Sequence, residues 1–418
     1  MSSTFLEVEL LTHRILIAFS FGSFLEGTAG FGAPVAITAA MLVGLEFDPL
    51  YAAGICLIAN TAPVAFGSIG IPITVASKVS SIPEISISQM FGRTLPILSA
   101  LLPFYLVILM CGIKKAMEVW PAILVSGISF ALIQWSCSNF IGPALPDILA
   151  GIGSIISLVI FLKYWKPKKI WRFAFEHSIY KTESFSSGQI IRACSPFIFL
   201  TLMIIAWGLK PIKQLLDSVG EVQFLFPGIH NAITDVSGKL IPHIFHFNYL
   251  SAAGTATMIS CIISILVIGL TYKQGFRIFI STITNLKYPI ITIGSILGFA
   301  TLLNDSGMIS TLAKGLASTG YFFPFFAPIL GWLRVFITGS DTSSNALFGN
   351  LQAVTAKSIS VNPIVTVAAN ASGGVIGKMI SHSSIAVAAA AGHLIGKESA
   401  LFGFTLKHSF ILLFLYAL

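Results

Sequence analysis

Two stretches of this sequence set carboxylates, hydroxyls and amides among apolar neighbours, and these residues have chemistry to offer. The first begins Phe24-Leu-Glu-Gly-Thr-Ala-Gly-Phe-Gly-Ala-Pro34. Glycines at 27, 30 and 32, followed by Pro34, argue against one continuous helix. A helix interrupted in apolar surroundings frees backbone N–H groups. Those groups, with the positive end of the next half-helix, hold a carboxylate. Gly27 and Thr28 stand at that interruption, and so does Glu26. A carboxylate there is costly unless protonated or paired. Glu26 is therefore either a proton carrier or a structural group, ion-paired or at the aqueous interface.

The same stretch continues in Ala59-Asn-Thr-Ala-Pro-Val-Ala-Phe-Gly-Ser-Ile-Gly-Ile-Pro72. Asn60 and Thr61 offer neutral donors and acceptors. Neutral groups suit a solute that must bind and also leave; they equally suit hydrogen bonds between helices. The second stretch is denser. It runs Thr338-Gly-Ser-Asp-Thr-Ser-Ser-Asn345, then Ala369-Asn-Ala-Ser-Gly-Gly-Val-Ile-Gly-Lys-Met-Ile-Ser-His-Ser-Ser384. Ser340, Thr342, Ser343, Asn370 and Ser372 can cap a half-helix or ligate a solute oxygen. Asp341 is the second candidate for carrying a proton. Lys378 is a counter-charge, either for Asp341 or for an anionic solute. The plainer reading of this stretch is a polar turn outside the membrane. Arg93 either draws an anion to an outer mouth or pairs with lipid phosphate. His382 titrates near neutrality, but a lone histidine is read here as structural. Gly294 and Gly298 have the spacing of closely packed helices.

The elements that position these residues must lie in lipid. Apolar residues make up 55% of the chain and charged residues only 10%, and the mean hydropathy is +0.90. Ten per cent charge cannot cover a soluble surface. Lipid offers backbone groups no partner, so the spans are helices, and the long unbroken apolar runs do not alternate as barrel strands do. Clear spans fall near 94–112, 118–139, 144–162, 191–209, 249–271, 288–303 and 401–418. Apolar segments rich in Gly, Pro, Ser, Thr and Asn cover 10–26, 33–47, 49–76, 320–338, 340–358 and 362–396. The net charge of +8 marks cytoplasmic loops rather than nucleic acid, because the basic residues sit between apolar runs. Lys114 and Lys115, the cluster across 163–192, and Lys273, Arg277 and Lys287 all fit one orientation. Segment 210–248 is then external, with Asp217, Glu221 and Asp235 in solvent, and 273–287 is an amphipathic helix at the inner surface.

Phe24-Leu-Glu-Gly27, Pro49 and Ala59-Asn-Thr-Ala62 are echoed by Phe336-Ile-Thr-Gly339, Pro363 and Ala369-Asn-Ala-Ser372. Paired broken segments in corresponding halves point to a transporter's binding site. Cys56, Cys111, Cys137, Cys194 and Cys261 read as small buried hydrophobes, without metal spacing. The N-terminus has no basic region and is not read as a cleaved signal peptide. No P-loop, H-E-x-x-H or G-x-S-x-G motif is present, so an ion-coupled carrier is favoured over an enzyme or an ATP-driven pump.

The motifs from Phe24 to Ala40, Asn60 to Gly67, Ser138 to Asp147, Gly339 to Phe348, Gly377 to Ser381 and Gly396 to Ser399 together resemble the L-lactate permease family, over nearly the whole chain. The resemblance implies proton-coupled uptake of lactate and related 2-hydroxy monocarboxylates such as glycolate, with no cofactor. It also implies inverted repeats and re-entrant hairpins whose Asn-Thr-like tips meet the substrate, here Asn60-Thr61 and, less closely, Asn370-Ala371-Ser372. Three features depart from the family. Its members carry further spans before the Phe24 motif, and here Met1 lies only a short way before it. The chain is therefore also readable as a truncated or split permease, completed by a second chain. Arg334 stands where the family has a small residue. His382-Ser383 replaces a Pro-Gln pair.

The expectation is an all-α polytopic membrane protein of about 10 spans, with discontinuous helices in two inverted repeats. Residues 1–162 form the first repeat, 163–190 a basic cytoplasmic loop and 191–418 the second repeat. The expected function is proton-coupled symport of a 2-hydroxycarboxylate anion at the bacterial inner membrane. Sodium coupling remains open, as does a homodimer. Gly27, Thr28, Asn60, Thr61, Ser340, Thr342, Ser343, Asn370 and Ser372 are expected to bind the solute. Lys378 or Arg93 would attract its carboxylate, and Glu26 or Asp341 would take the proton.

Overall fold

A computed structural model of the chain describes residues 16–30, 32–165, 186–234, 240 and 242–417. A π-helical turn leads into α1 (Gly22–Thr28). Gly30 and Gly32 then take left-handed backbone, with φ of 60° and 86°, which side chains with a Cβ rarely adopt. They stop α1 and release α2 (Ala33–Gly44), whose start Pro34 favours because its fixed φ suits a first turn. Asp48 caps α3 (Pro49–Ala59) by accepting the Tyr51 N–H at 3.0 Å. The chain turns through Asn60 and a 3₁₀ turn at Val64–Phe66 into α4 (Gly67–Ser80). Ser68, Ile69 and Gly70 are all left-handed, so α4 is broken at its start, and it lies 65° from α3. Ile69, β-branched at φ 62°, is strained there by about 1–3 kcal/mol.

Three long apolar helices follow: α5 (Glu84–Cys111), α6 (Trp120–Phe140) and α7 (Pro146–Tyr164). They pack through small residues and hydroxyls, as helices in lipid do. The Ser154 hydroxyl is 2.8 Å from that of Ser20 and 3.0 Å from that of Ser126, joining α6 and α7 to the turn before α1. Most of the basic segment 163–192 lies outside the described residues, and so does Asp235.

A capping box at Ser186 starts α8 (Ser187–Gly208), and α9 (Lys210–Gly220) follows. A hairpin pairs β1 (Glu221–Leu225) with β2 (Ile244–Asn248), Glu221 opposite Asn248. This exposed two-stranded ribbon is a small addition to the expected all-α membrane fold. Then come α10 (Ala253–Ile268), α11 (Tyr272–Asp305) and α12 (Met308–Ala317). The expected surface helix over 273–287 is instead the first half of α11, which runs unbroken for 34 residues. At 1.5 Å per residue that is about 51 Å, well beyond the hydrocarbon thickness. Gly294 and Gly298 have nothing described within 4 Å of an added Cβ, so their spacing does not mark a helix contact. Cys261 is exposed on α10 and Cys111 half-buried, contrary to the uniform burial expected.

The last block contains α13 (Phe323–Thr338), α14 (Asp341–Ser358), α15 (Pro363–Lys378), α16 (His382–Ala391) and α17 (Glu398–Ala417). Here the close helix contact is real. A Cβ at Gly331, Gly373 or Gly377 would strike the carbonyl of Asn370, Pro328 or Trp332 respectively, so α13 and α15 touch backbone to backbone. Arg334, on α13, lays its guanidinium over the Phe348 ring at 5.9 Å, a cation–π contact.

The chain divides into two compact units, Met1–Ser178 with Leu312–Leu418, and Ile179–Thr311. Among the described residues six elements are long and apolar enough to cross a membrane, or nine if each of three sharply bent pairs is one span. The Pro363–Ala391 element is 83% buried, against 33–44% for the other five. It is therefore wrapped by protein, and its polar residues are shielded from lipid.

Candidate functional site

Both broken blocks fold into the first of those units, and both break in the same way. In the N-terminal block the Ser68 hydroxyl donates to the Ala29 carbonyl at 3.2 Å. A Cβ at Gly30 would collide with that hydroxyl. In the C-terminal block Gly339, at φ 73°, ends α13, and a Cβ there would collide with the Ser383 hydroxyl. Each block thus presses one left-handed glycine against a serine at its second interruption. The blocks differ in how the next half-helix starts: α2 and α4 have no side-chain cap, whereas α14 and α16 are capped by serine hydroxyls. Ser340 accepts the Ser343 N–H at 3.2 Å, and Ser381 accepts the Ser384 N–H at 3.3 Å.

The blocks meet at an ion pair. Lys378, the last residue of α15, places Nζ 2.6 Å from Oε1 of Glu26 on α1. Glu26 is 2% exposed and Lys378 9%, so neither charge is offset by water. The other oxygen, Oε2 of Glu26, is buried with no hydrogen-bond partner. Gly67 backs onto this carboxylate. Lys378 also lines a crevice of about 160 Å³ with Leu57, Asn60, Thr61, Val64, Val375, Met379 and Ser384. The crevice is too narrow to admit a water-sized sphere. Asn60 keeps a buried Oδ1 without a partner. Thr61 spends its hydroxyl proton on the Ile58 carbonyl at 2.6 Å.

A second polar chain runs beside the first. Asp341 is 3% exposed at the first turn of α14. Its Oδ2 accepts from Asn345 at 3.3 Å, and its Oδ1 is unpartnered. The Asn345 amide also reaches the Pro72 carbonyl of α4 at 3.2 Å, which ties the two blocks together. Asn370 donates to Asn345 Oδ1 at 3.2 Å and accepts from Gln352 at 3.3 Å. Lys378 acts electrostatically on Asp341, but its contact partner is Glu26.

The expected residues therefore sort unequally. Asn60, Thr61 and Lys378 share the crevice, and Glu26 is joined to it through the ion pair. Ser340, Thr342 and Ser343 are at or just inside the start of α14, with Thr342 and Ser343 buried. Thr28 is buried and turns its hydroxyl back to the Phe24 and Leu25 carbonyls, at 3.1 and 3.0 Å. Gly27 is a packing residue, since an added Cβ would lie 2.9 Å from the Ile148 nitrogen. Asn370 and Ser372 do not form a tip. They lie inside α15, fully buried, and the interruption comes later, at Met379 to Ser381. The helix persists because nothing near Asn370 breaks it: Gly373 and Gly374 keep helical backbone under close packing from α13. Arg93 is exposed on α5, away from the crevice. His382 is exposed at the start of α16.

The sequence reading passed over Asp147, Gln134, Asn345 and Gln352 as site residues. For Gln134 and Asp147 the signal was present, since each is a polar residue on a strongly apolar helix. Asp147 ends the Ser138–Asp147 stretch that carried the family resemblance, and Gln134 lies just before it. Among the described residues no group of His, Cys, Asp and Glu is arranged to hold a metal.

A family model described as L-lactate permease matches residues 8–418. The L-lactate permease of Bacillus subtilis (strain 168) is 53% identical over 96% of this chain and 76% of its own length. Glycolate permease GlcA of Escherichia coli (strain K12) is 52% identical over 95% of this chain and 75% of its length. The L-lactate permease of the same strain is 47% identical with the same coverage. A solved structure of the Alcanivorax borkumensis YdaH transporter aligns with a TM-score of 0.41 at 12% identity, over 97% of this chain and 83% of that one, too distant to carry an argument. The family match takes in the whole crevice, its ion pair and both broken blocks, and this chain belongs to the L-lactate permease family.

Proposed function

We propose that this protein carries lactate, glycolate and related 2-hydroxy monocarboxylates across the bacterial inner membrane with a proton. The observation that supports this best is the buried Lys378–Glu26 pair, whose lysine lines a narrow polar crevice. A lysine bound to an internal carboxylate is a lysine ready for an external one. The substrate carboxylate displaces Glu26 from Lys378. Glu26 then has no cation, and a buried carboxylate without one takes a proton. Binding of the anion and protonation of Glu26 become one event. The loaded site gains no net charge, so it avoids the roughly 2.3 kcal/mol per 100 mV that an inside-negative potential imposes on an entering anion. The unpartnered Asn60 Oδ1 and the Thr61 and Ser384 hydroxyls are available to the substrate's own hydroxyl.

In this reading residues 1–162 and 191–418 are the two repeats, and the basic segment 163–190 is cytoplasmic. The preference for Glu26 over Asp341 as proton acceptor rests on contact, since Glu26 is the group the substrate would displace. The relatives named for lactate and for glycolate support the substrate class. The test is uptake of labelled L-lactate into proteoliposomes under an imposed pH gradient. Glu26→Gln should abolish accumulation driven by the gradient and leave lactate counterflow. Intact gradient-driven accumulation in that variant would overturn the proton assignment.

A further inference from the structure

We propose that Asp147 is the group that holds the co-transported proton before the substrate arrives, so that proton binding precedes substrate binding. This rests on the Glu26 reading above and deepens it. Asp147 stands in the first turn of α7 and is 1% exposed. Its Oδ1 accepts one hydrogen bond, from the Gln134 amide at 3.0 Å. Its Oδ2 is buried and unpartnered. No cation is paired with it among the described residues. A buried carboxylate with a single neutral donor and no counter-ion is far costlier than a neutral acid. The proton therefore sits on Asp147 while Lys378 occupies Glu26.

The surroundings connect Asp147 to the site from two directions. From α1, Glu26 is the charged group that acts on it. The adjacent Gly27 packs so closely that an added Cβ would lie 3.0 Å from the Asp147 Cβ. From α6 come Gln134, which is uncharged, and the thiol of Cys137, on which Asp147 acts electrostatically. The Gln134 amide is aimed by Ser99, which donates to its Oε1 at 2.8 Å. That amide also reaches the Ala62 carbonyl, at 3.5 Å. Ala62 directly follows Asn60 and Thr61 of the crevice. A shift of that turn on substrate entry is felt at Asp147 through one amide.

Glu26 acts electrostatically on Asp147, so a charge on both carboxylates at once is costly. With Glu26 bound to Lys378, the shared proton is on Asp147. When the substrate takes Lys378, the O–H bond at Asp147 breaks and one forms at Glu26. The ionised Asp147 keeps the Gln134 hydrogen bond. No other bond changes, and the total charge of the pair is constant through the transfer.

Asp147→Asn has the shape of the neutral acid but no proton to give. Counterflow of L-lactate at fixed pH should stay within about threefold of wild type, while accumulation driven by a pH gradient falls more than tenfold. The infrared absorption of protonated carboxyls should be present in substrate-free wild-type protein and weaker in the variant by the contribution of one group, since Asp341, buried with one unpartnered oxygen, is present in both. Accumulation preserved in Asp147→Asn, or equal absorption in both proteins, would overturn the proposal. If the variant does not fold, wild type decides. A protonated-carboxyl band that shifts when lactate is added supports the relay, and its absence before lactate is added refutes it. Loss of accumulation in Glu26→Gln together with its retention in Asp147→Asn would reject only the loading role.

Discussion

At the scale of residues, the proposal turns on one contact, the Lys378–Glu26 pair. Removing either half of the Lys378–Glu26 pair leaves a buried charge alone. Lys378→Met and Glu26→Gln should each lower stability by about 3–5 kcal/mol, and the double variant by much less than the sum. Thermal unfolding in detergent, read as a double-mutant cycle, tests this. Lys378→Met should also lose lactate binding, since it removes the cation that receives the carboxylate. Glu26 and Lys378 were legible in the sequence as costly charges in apolar runs. Their pairing was not, because Lys378 had two candidate partners and only the fold places α1 at the end of α15. Asp147 was hidden for a different reason. Next to Pro146, at the head of an apolar run, it reads as an ordinary acidic residue in the first turn of a helix.

At the scale of elements, interruptions position these groups and glycines permit the approach. Gly373→Ala sets a methyl against the Pro328 carbonyl, where backbone cannot yield as a flexible side chain would. It should destabilise by about 1–3 kcal/mol or more, whereas Gly294→Ala, with open space around it, should be neutral or mildly stabilising. Melting temperatures of the two variants should therefore move apart. On the exposed hairpin, hydrogen bonds from His246, then from Gln223, hold the Glu221 carboxyl below the usual carboxylate range. The sign follows. The ionised form is favoured in the fold, so this support is complete above the ordinary carboxylate pKa and is lost as pH falls through the lowered value. Amide protection along β1 and β2, measured relative to the intrinsic exchange rate at each pH, should be constant above that range and weaker below it. The helices at 120–164, 323–358 and 398–417 were readable within a few residues from apolar runs, whereas α5 starts at Glu84, ten residues before the run at 94, because its polar first turns give no apolar signal. The length of α11 was not, because its polar first half looks like a surface helix on local pattern alone. The hairpin escaped because short strands bearing His and Phe give a weak signal.

At the scale of the whole molecule, both broken blocks and the crevice fall in one compact unit, Met1–Ser178 with Leu312–Leu418. With one proton accompanying each monovalent anion, transport should be indifferent to membrane potential. A potassium diffusion potential of either sign, imposed at equal pH, should leave the initial rate of lactate uptake unchanged. A rate that follows the potential would require a different stoichiometry.

The link between Glu26 and Lys378 joins residues 352 positions apart. At 5–20 residues per second, a ribosome needs roughly 20–70 s to make the chain between them. For that interval the first broken helix must enter the bilayer with its acid unanswered, either protonated or sheltered by the insertion machinery. The nascent protein thus passes through a lysine-free stage during its own birth, and the mechanism proposed above would have the finished carrier revisit a version of that stage at every turnover.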